Sequence, residues 1–519
     1  MASRKLYFFM MVALLTAACG GNKDNSLPLV DVLADVAADG GQDVAPPFET
    51  TPDGAEIEVP AACLPIEQGV LLPADSGTRK FALSLFHYNL QYVAGGLVGF
   101  LDNPEMDLTD IEVQDRIIVE SFFPMLDILE NHPNWGMDAE MQGLMVEAIA
   151  ERHAGTLPRI RELVARGQLH IDSFHYSDQL WVAYPLPSMS RSFALNEAAF
   201  AQACLPVGGA VFTQEGQFGQ GLAYHIKDSG RTALYPTNLF KYFSGDDPGA
   251  LAYDWDGTTV VVAGKGVAEE VGGEELAVTW HFMNDGELAF TGNANPYFGS
   301  LFAYDQKFTE KYVAKLEQLE AEGWTIATVA DYVAHLKHLG YQAPAVPLIL
   351  DGAWQPKDTQ NVLRWMGQVG ELGGPEEDDN GVLTGNVRSR MLLQAAEAVA
   401  GLKSVPEAQR DAALTDGWYH QLLAEVSDST GWNPWPGEVK YSKEHSAAAA
   451  ETAWALVLDA LADDGPVLVD TATGGIAAKE SLHYRAEGPS TFTFVAPLEP
   501  LDEPPAVVAV TAPARTATA

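Results

Sequence analysis

Two short segments of this 519-residue chain concentrate side chains suited to acid–base work. In GAVFTQEGQFGQG, Glu215 stands among small residues that leave space for a ligand, at the end of an apolar run. In TWHFMNDGELAF, Asp285 and Glu287 follow a second such run. Two acidic side chains from different strands, converging on one mouth, are what cleavage of a glycosidic bond requires. One attacks the anomeric carbon, and the other, kept protonated, delivers a proton to the leaving oxygen. A chain with 71 carboxylates also has many acids that only cap or pair at strand ends, so the elements that carry these three matter.

The body begins with KFALSLFHYN, an apolar run that stops at polar residues, as a buried parallel strand does at the functional end of a sheet. A helical pattern follows in DIEVQDRIIVESFFPMLDILENH, and the alternation repeats. Further strands are expected at Trp135 to Ala139, Gln168 to Phe174, Ala210 to Gln214, Thr232 to Tyr235, Leu276 to Phe282 and Thr325 to Thr328. About seven strands separated by helices predict an α/β barrel over 79–342 with its site at the C-terminal strand ends. Beyond it, NVRSRMLLQAAEAVAGL, DGWYHQLLAEV and SAAAAETAWALVLDAL read as a helical bundle over 343–464. Short β-like runs (PVLVDTA, STFTFVAP, AVVAVTA) predict a small β appendage over 465–519. The expected architecture is thus a (β/α)7 barrel, an α-helical bundle and a small C-terminal β segment.

The N-terminus reads as an export signal. Arg4 and Lys5 precede an apolar run too short to span a bilayer, and LTAAC ends at Cys19. The pattern resembles a bacterial lipoprotein signal over 1–19, with Cys19 lipidated and the protein exported and anchored to the cell envelope, at the outer membrane. A plain secretory signal with a chance cysteine is the alternative. Residues 20–78, rich in Asp, Ala, Gly and Pro, cannot bury enough apolar surface to offset chain entropy and read as an acidic tether. Cys63 and Cys204 are the two cysteines after the signal, and both a disulfide and two buried thiols fit an exported protein.

Charge narrows the partners. The net charge is −41, and −33 of it belongs to residues 79–519, because the signal carries two basic residues and the tether eleven acids and one lysine. Acidity is a property of the folded surface. It disfavours nucleic acid and anionic lipid and leaves neutral ligands such as sugars unaffected. No phosphate-binding glycine loop and no G-x-S-x-G motif is present, and no cofactor is expected.

Five short segments, in order along Lys80 to Asp459, resemble glycoside hydrolase family 57, whose members have a (β/α)7 barrel followed by helices. The first is His87 in FHYN, and the second is Gly167 and Gln168 in GQLHID. The third is VFTQE, where the resemblance implies that Glu215 is the nucleophile. The fourth is NDGEL, where it implies that Asp285 is the acid/base with Glu287 beside it. The fifth lies in DTQNVLRWMG and LLAEVSDSTGW. Asn89 follows where the family has another residue, His170 replaces its usual glutamate, and Gln214 replaces a proline before the nucleophile. The resemblance implies a retaining glycosidase or transglycosidase acting on a neutral, α-linked glucan or oligosaccharide. His87, Asn89, His170, Asp172 and Glu287 would then contact sugar, and Trp432 would stack on it. His170 and Asp172 share a strand face, and this H-x-D pair also permits a metal-dependent deacetylase- or mannosidase-like reading. Strand one offers Asn89 rather than an aspartate and there is no H-x-x-x-H, so no metal is expected. A non-catalytic glycan-binding lipoprotein on the same scaffold is the remaining alternative.

Overall fold

The computed structural model describes residues 66–99, 107–181, 184–227, 229–291, 302–347, 352–353, 381–403, 405–429 and 436–460, with the backbone of three later strands. Cys19, Cys63, Trp432, the signal, most of the tether and DTQNVLRWMG lie outside the described residues.

In chain order the elements are β1 (Lys80–Tyr88), α1 (Asp110–Ile117), a π-helical stretch over Ile118–Phe122, α2 (Phe123–Asn131), β2 (Met137–Met141), α3 (Gly143–Arg152) and α4 (Leu157–Ala165). Next come β3 (Leu169–Asp172), α5 (Leu186–Ala203), β4 (Ala210–Val211), α6 (Gln220–Ile226), β5 (Thr232–Pro236) and α7 (Thr237–Ser244). Then follow β6 (Tyr253–Trp255), β7 (Thr258–Ala263), β8 (Val267–Val271), β9 (Glu274–Asp285), α8 (Gln306–Ala321), β10 (Thr325–Ile326) and α9 (Val329–His338). The chain continues with α10 (Val382–Leu402), α11 (Glu407–Ala424), α12 (Pro436–Ala460), β11 (Val467–Asp470), β12 (Gly475–Ala478) and β13 (Phe492–Val495).

All seven expected strands are present, and every one of them pairs in parallel. The order β3-β2-β1-β9-β8, with β10 beside β1, forms one sheet, and β4-β5-β7-β6 forms another. Both sheets contribute to a single core: Leu83 and Leu85 from β1, Phe212 beyond β4, Leu234 from β5, Val261 from β7 and Trp280 from β9 are all nearly inaccessible to water. Burying each such side chain contributes about 1.5–3 kcal/mol. Parallel strands alternating with helices around this core make the first unit an α/β barrel of the expected kind.

Three strands of the barrel were not expected. β7 is an eighth parallel strand, beside β5, and β6 and β8 are antiparallel arms on β7 and β9. Each arm turns through two residues with positive φ, Asp256-Gly257 and Gly272-Gly273, the geometry that matches strand twist in a tight hairpin.

The described chain divides into two compact units. The first holds 66–92, 97–175 and 196–353; the second holds 93–96, 176–195 and the residues from 381 onward, so the helical unit also takes in a segment from within the range expected for the barrel. In the second unit α10, α11 and α12 pack through Leu393, Ala396, Trp418, Leu422, Ala449, Ala453 and Leu456, where alanines let the helices approach closely. The late β segment is a three-stranded antiparallel sheet in the order β12-β11-β13, where β11 and β13 fall in expected runs, β12 does not, and the expected run AVVAVTA lies outside the described residues.

Candidate active site

Strand register assembles a polar row. His87 on β1 pairs with Asp285 on β9 and with Glu140 on β2, and Glu140 pairs in turn with Asp172 on β3. Because neighbours in register point to the same face, Asp285, His87, Glu140 and Asp172 form one line across four strands. Asp138 and His170, two residues earlier on β2 and β3, form a second pair on that face.

Glu215 is delivered by a strained turn. Its φ is +57°, followed by Gly216 at +54°, and non-glycine residues rarely adopt this region. Gly216 N donates to Thr213 O at 2.8 Å and Gln217 N to Gln214 O at 3.2 Å, which close the turn. Gln214 N donates to His175 Nε2 at 3.1 Å, and the Gln214 side-chain amide donates to Glu215 Oε1 at 3.2 Å. Glu215 is 7 % exposed, so its carboxylate sits in a recess and not on the open surface.

Asp285 is the last residue of β9, and the loop after it is fastened to the end of β1. Gly286 N donates to His87 O at 2.6 Å, Ser121 Oγ to Gly286 O at 2.5 Å, and Asn89 N to Glu287 Oε2 at 3.3 Å. Asp285 remains half-buried, whereas Glu287 is fully enclosed. Glu287 thus engages the β1 main chain, and Asn89 contributes its backbone N–H to that contact.

His87 joins the two halves. Its Nδ1 lies 2.5 Å from Glu140 Oε2, its ring meets Phe212 edge-on, and the Gln214 side chain hydrogen-bonds to it. Burial lowers the His87 pKa to about 4 against the opposing pull of the Asp285 charge and of the Gln214 bond. Burial, with the Asp172 charge added, holds the Glu140 carboxyl well above the usual range. Burial disfavours charge on both partners, and the arrangement both shifts favour is a Glu140 carboxyl donating to Nδ1 with the ring N–H on Nε2.

Beneath this row the carboxyls are buried in pairs. Asp138 accepts from Val329 N at 2.9 Å, Asp172 accepts from Ala210 N at 3.0 Å, and their side chains hydrogen-bond to each other. Burial and the neighbouring Asp172 charge raise Asp138 well above its ordinary value, and burial brings Asp172 to about 6. Arg231 supplies the balancing charge, with its guanidinium donating to the carbonyls of Gly208, Ser173 and Ala210. His170 is buried with both ring nitrogens lacking a hydrogen-bond partner, and burial lowers it to about 4.

The structure therefore gathers Glu215, Asp285, His87 and Glu287 around the end of β1, while Asp172 ties β3 to β4 and His170 lies on the same face at the level of Asp138. Cys204 is disulfide-bonded. Glu140, Asp138 and Arg231 were not singled out from sequence. The available signal was MDAEM, two acids at spacing two in an otherwise apolar strand whose end was expected one residue before Glu140. Among the described residues, no group of three or more His, Cys, Asp or Glu side chains has a metal-binding arrangement.

No protein-family model and no curated protein sequence matches the chain. Solved structures do. The α-amylase AmyC from Thermotoga maritima matches with a TM-score of 0.50 at 9 % identity, over 74 % of this chain and 94 % of that one. A GH57-type branching enzyme from Pyrococcus horikoshii matches with a TM-score of 0.49 at 10 % identity, over 73 % and 88 % of the two chains. The 4-α-glucanotransferase from Thermococcus litoralis has a TM-score of 0.45 at 14 % identity, over 80 % and 64 %. The likeness to the Thermotoga enzyme, nearly the whole of whose chain is covered, is one of fold.

Proposed function

We propose that this chain is a family 57-like retaining glycoside hydrolase or transglycosidase acting on neutral, α-linked glucans or oligosaccharides. The observation that carries the reading is the convergence on His87: its ring hydrogen-bonds Gln214, which holds Glu215, and feels the charge of Asp285. One buried residue thus connects the two strand ends that bear the working carboxyls.

In this reading Glu215 attacks the anomeric carbon and forms a glycosyl-enzyme, while Asp285 protonates the leaving oxygen and then activates water or an acceptor sugar. His87 contacts a sugar hydroxyl in the subsite beside the cleaved bond. The fold is also that of the Thermotoga α-amylase, which supports an α-glucan as substrate. The acidic surface leaves a neutral glycan free to approach. The lipoprotein pattern at Cys19 supports placement at the cell envelope.

The test is turnover by the full chain on a panel of α- and β-glycans, with anomeric configuration followed by NMR. We expect α-linked glucans to be cleaved or transferred with retention, and Glu215→Gln to lose at least about 10³-fold in rate while still binding sugar. Inverted product would overturn the retaining mechanism, and binding without turnover by the wild type would make the protein a glycan-binding lipoprotein.

A further inference from the structure

The barrel interior contains one buried acid that touches the proposed machinery without belonging to it. Glu140 is fully enclosed, is the penultimate residue of β2 beside the end of β1, and has one strong contact, the 2.5 Å approach of Oε2 to His87 Nδ1. Its second contact orients it, since Gln142 Nε2 donates to the same oxygen at 3.2 Å. An imidazole has two nitrogens on opposite sides of the ring, so holding Nδ1 leaves Nε2 for the Gln214 amide and the cleft.

We propose that Glu140 is a positioning residue for the glycosidase chemistry. By engaging Nδ1 it fixes the plane and tautomer of His87, so that Nε2 carries the hydrogen and faces Gln214. His87 in turn steadies Gln214, which hydrogen-bonds Glu215. The inference rests on the functional reading above only for its kinetic consequence; the tautomer of His87 stands independently of it.

The charges around Glu140 give the inference a pH signature. Asp172 on β3 faces it with negative charge, Arg231 faces it with positive charge, and His87 faces it from β1. Burial and Asp172 keep the carboxyl protonated well above the normal carboxylate range, and Arg231 opposes this. Loss of that proton at alkaline pH leaves a carboxylate that only accepts, so the ring must move its hydrogen to Nδ1. Nε2 then becomes an acceptor, and its hydrogen bond to Gln214, which holds Glu215, must reverse or break. Activity should therefore show an alkaline limb belonging to Glu140.

Three full-length forms test this: wild type, Glu140→Gln and Glu140→Ala, assayed on maltoheptaose across pH and compared by 15N NMR of the imidazoles, with His87→Asn to assign the His87 signals. In Glu140→Gln the side-chain NH2 donates to Nδ1 permanently, so activity near pH 7 should stay close to wild type and the alkaline limb should vanish. In Glu140→Ala kcat should fall about 100-fold with little change in KM, and His87 should show a mixture of tautomers. Thermal unfolding of each form separates lost positioning from lost fold. An alkaline limb that survives in Glu140→Gln, a Gln variant as slow as the Ala variant, or a folded Glu140→Ala with unchanged kcat and His87 tautomer would each overturn the proposal. If wild type turns over no glycan, the functional reading fails, and the NMR comparison still decides the role of Glu140.

Discussion

The carboxyl groups of Asp138 and Asp172, on adjacent parallel strands and both wholly buried, are hydrogen-bonded to each other through a shared proton. Each also takes a backbone N–H from a neighbouring element, Val329 at the start of α9 and Ala210 on β4. One shared proton thus joins two anchoring points of the barrel, and it makes stability depend on pH in a definite direction.

Asp138 and Glu140 have folded-state pKa values raised well above those of an unfolded chain. Their stabilisation is fully present below the unfolded values and is lost as pH rises toward the folded ones. Above neutrality the stability should fall by up to about 1.4 kcal/mol per pH unit for each proton the native state retains. Buried histidines act on the other side: His87, His170 and His445 are lowered to about 4 and His281 to about 3, so their own contribution rises with pH from there to about 6.5, offset in part by Asp172 and Asp331, which are raised to about 6. We expect the melting temperature to peak near neutral pH. Asp138→Asn, which keeps the acceptor for Val329 N and donates permanently to Asp172, should flatten the alkaline decline. Thermal melts from pH 5 to 9 check this, and an unchanged alkaline slope would show that Asp138 does not retain its proton.

Glu215 combines function with backbone strain. A left-handed conformation costs a residue with a Cβ about 1–2 kcal/mol, and glycine escapes it. Glu215→Gly should therefore abolish turnover while leaving the protein as stable or about 1 kcal/mol more stable. The same variant removes the nucleophile and opens space, so added azide should restore cleavage and yield a glycosyl azide of opposite anomeric configuration. Denaturant unfolding and product NMR provide the two readings.

The helical unit has its own critical acid. Glu425 is completely buried and receives Gln179 at 2.6 Å, Ser188 at 2.9 Å, Gln421 at 2.8 Å and the Arg390 guanidinium at 3.1 Å. Removing one partner of a buried ion pair leaves an uncompensated charge, so Glu425→Leu should destabilise by about 3–5 kcal/mol. Glu425→Gln, which keeps the volume and most acceptors, should cost less. Equal stability of Glu425→Leu and wild type would mean that Arg390 finds water in the absence of its partner.

Much of the barrel is legible in the sequence because its signals are local. Buried strands read as apolar runs that end in polar residues, and the helical pattern that begins at Asp110 coincides with α1, whose start Thr109 and Glu112 close with reciprocal side-chain-to-backbone bonds. The arms β6 to β9 had a signal as well: Asp256-Gly257 and Gly272-Gly273 are hairpin turns beside β-branched runs, and Thr258–Ala263 follows the first. Glu140 was less accessible, because an acid at the end of a strand looks the same in sequence whether it faces solvent or a histidine on the next strand.

By itself the sequence determined seven of the barrel's parallel strands with helices between them, the acidity of the folded body, and the presence of Glu215 and Asp285 near two strand ends. These follow from periodicity, composition and short motifs, each contained in a few neighbouring residues. Only the tertiary structure decided that β1 lies between β2 and β9, and therefore that His87 stands between Glu140 and Asp285. Strand pairing joins residues 53 and 198 positions away from His87, and burial, which no local pattern encodes, then moves the protons. The same two steps turn an ordinary glutamate on β2 into the neutral donor that holds His87.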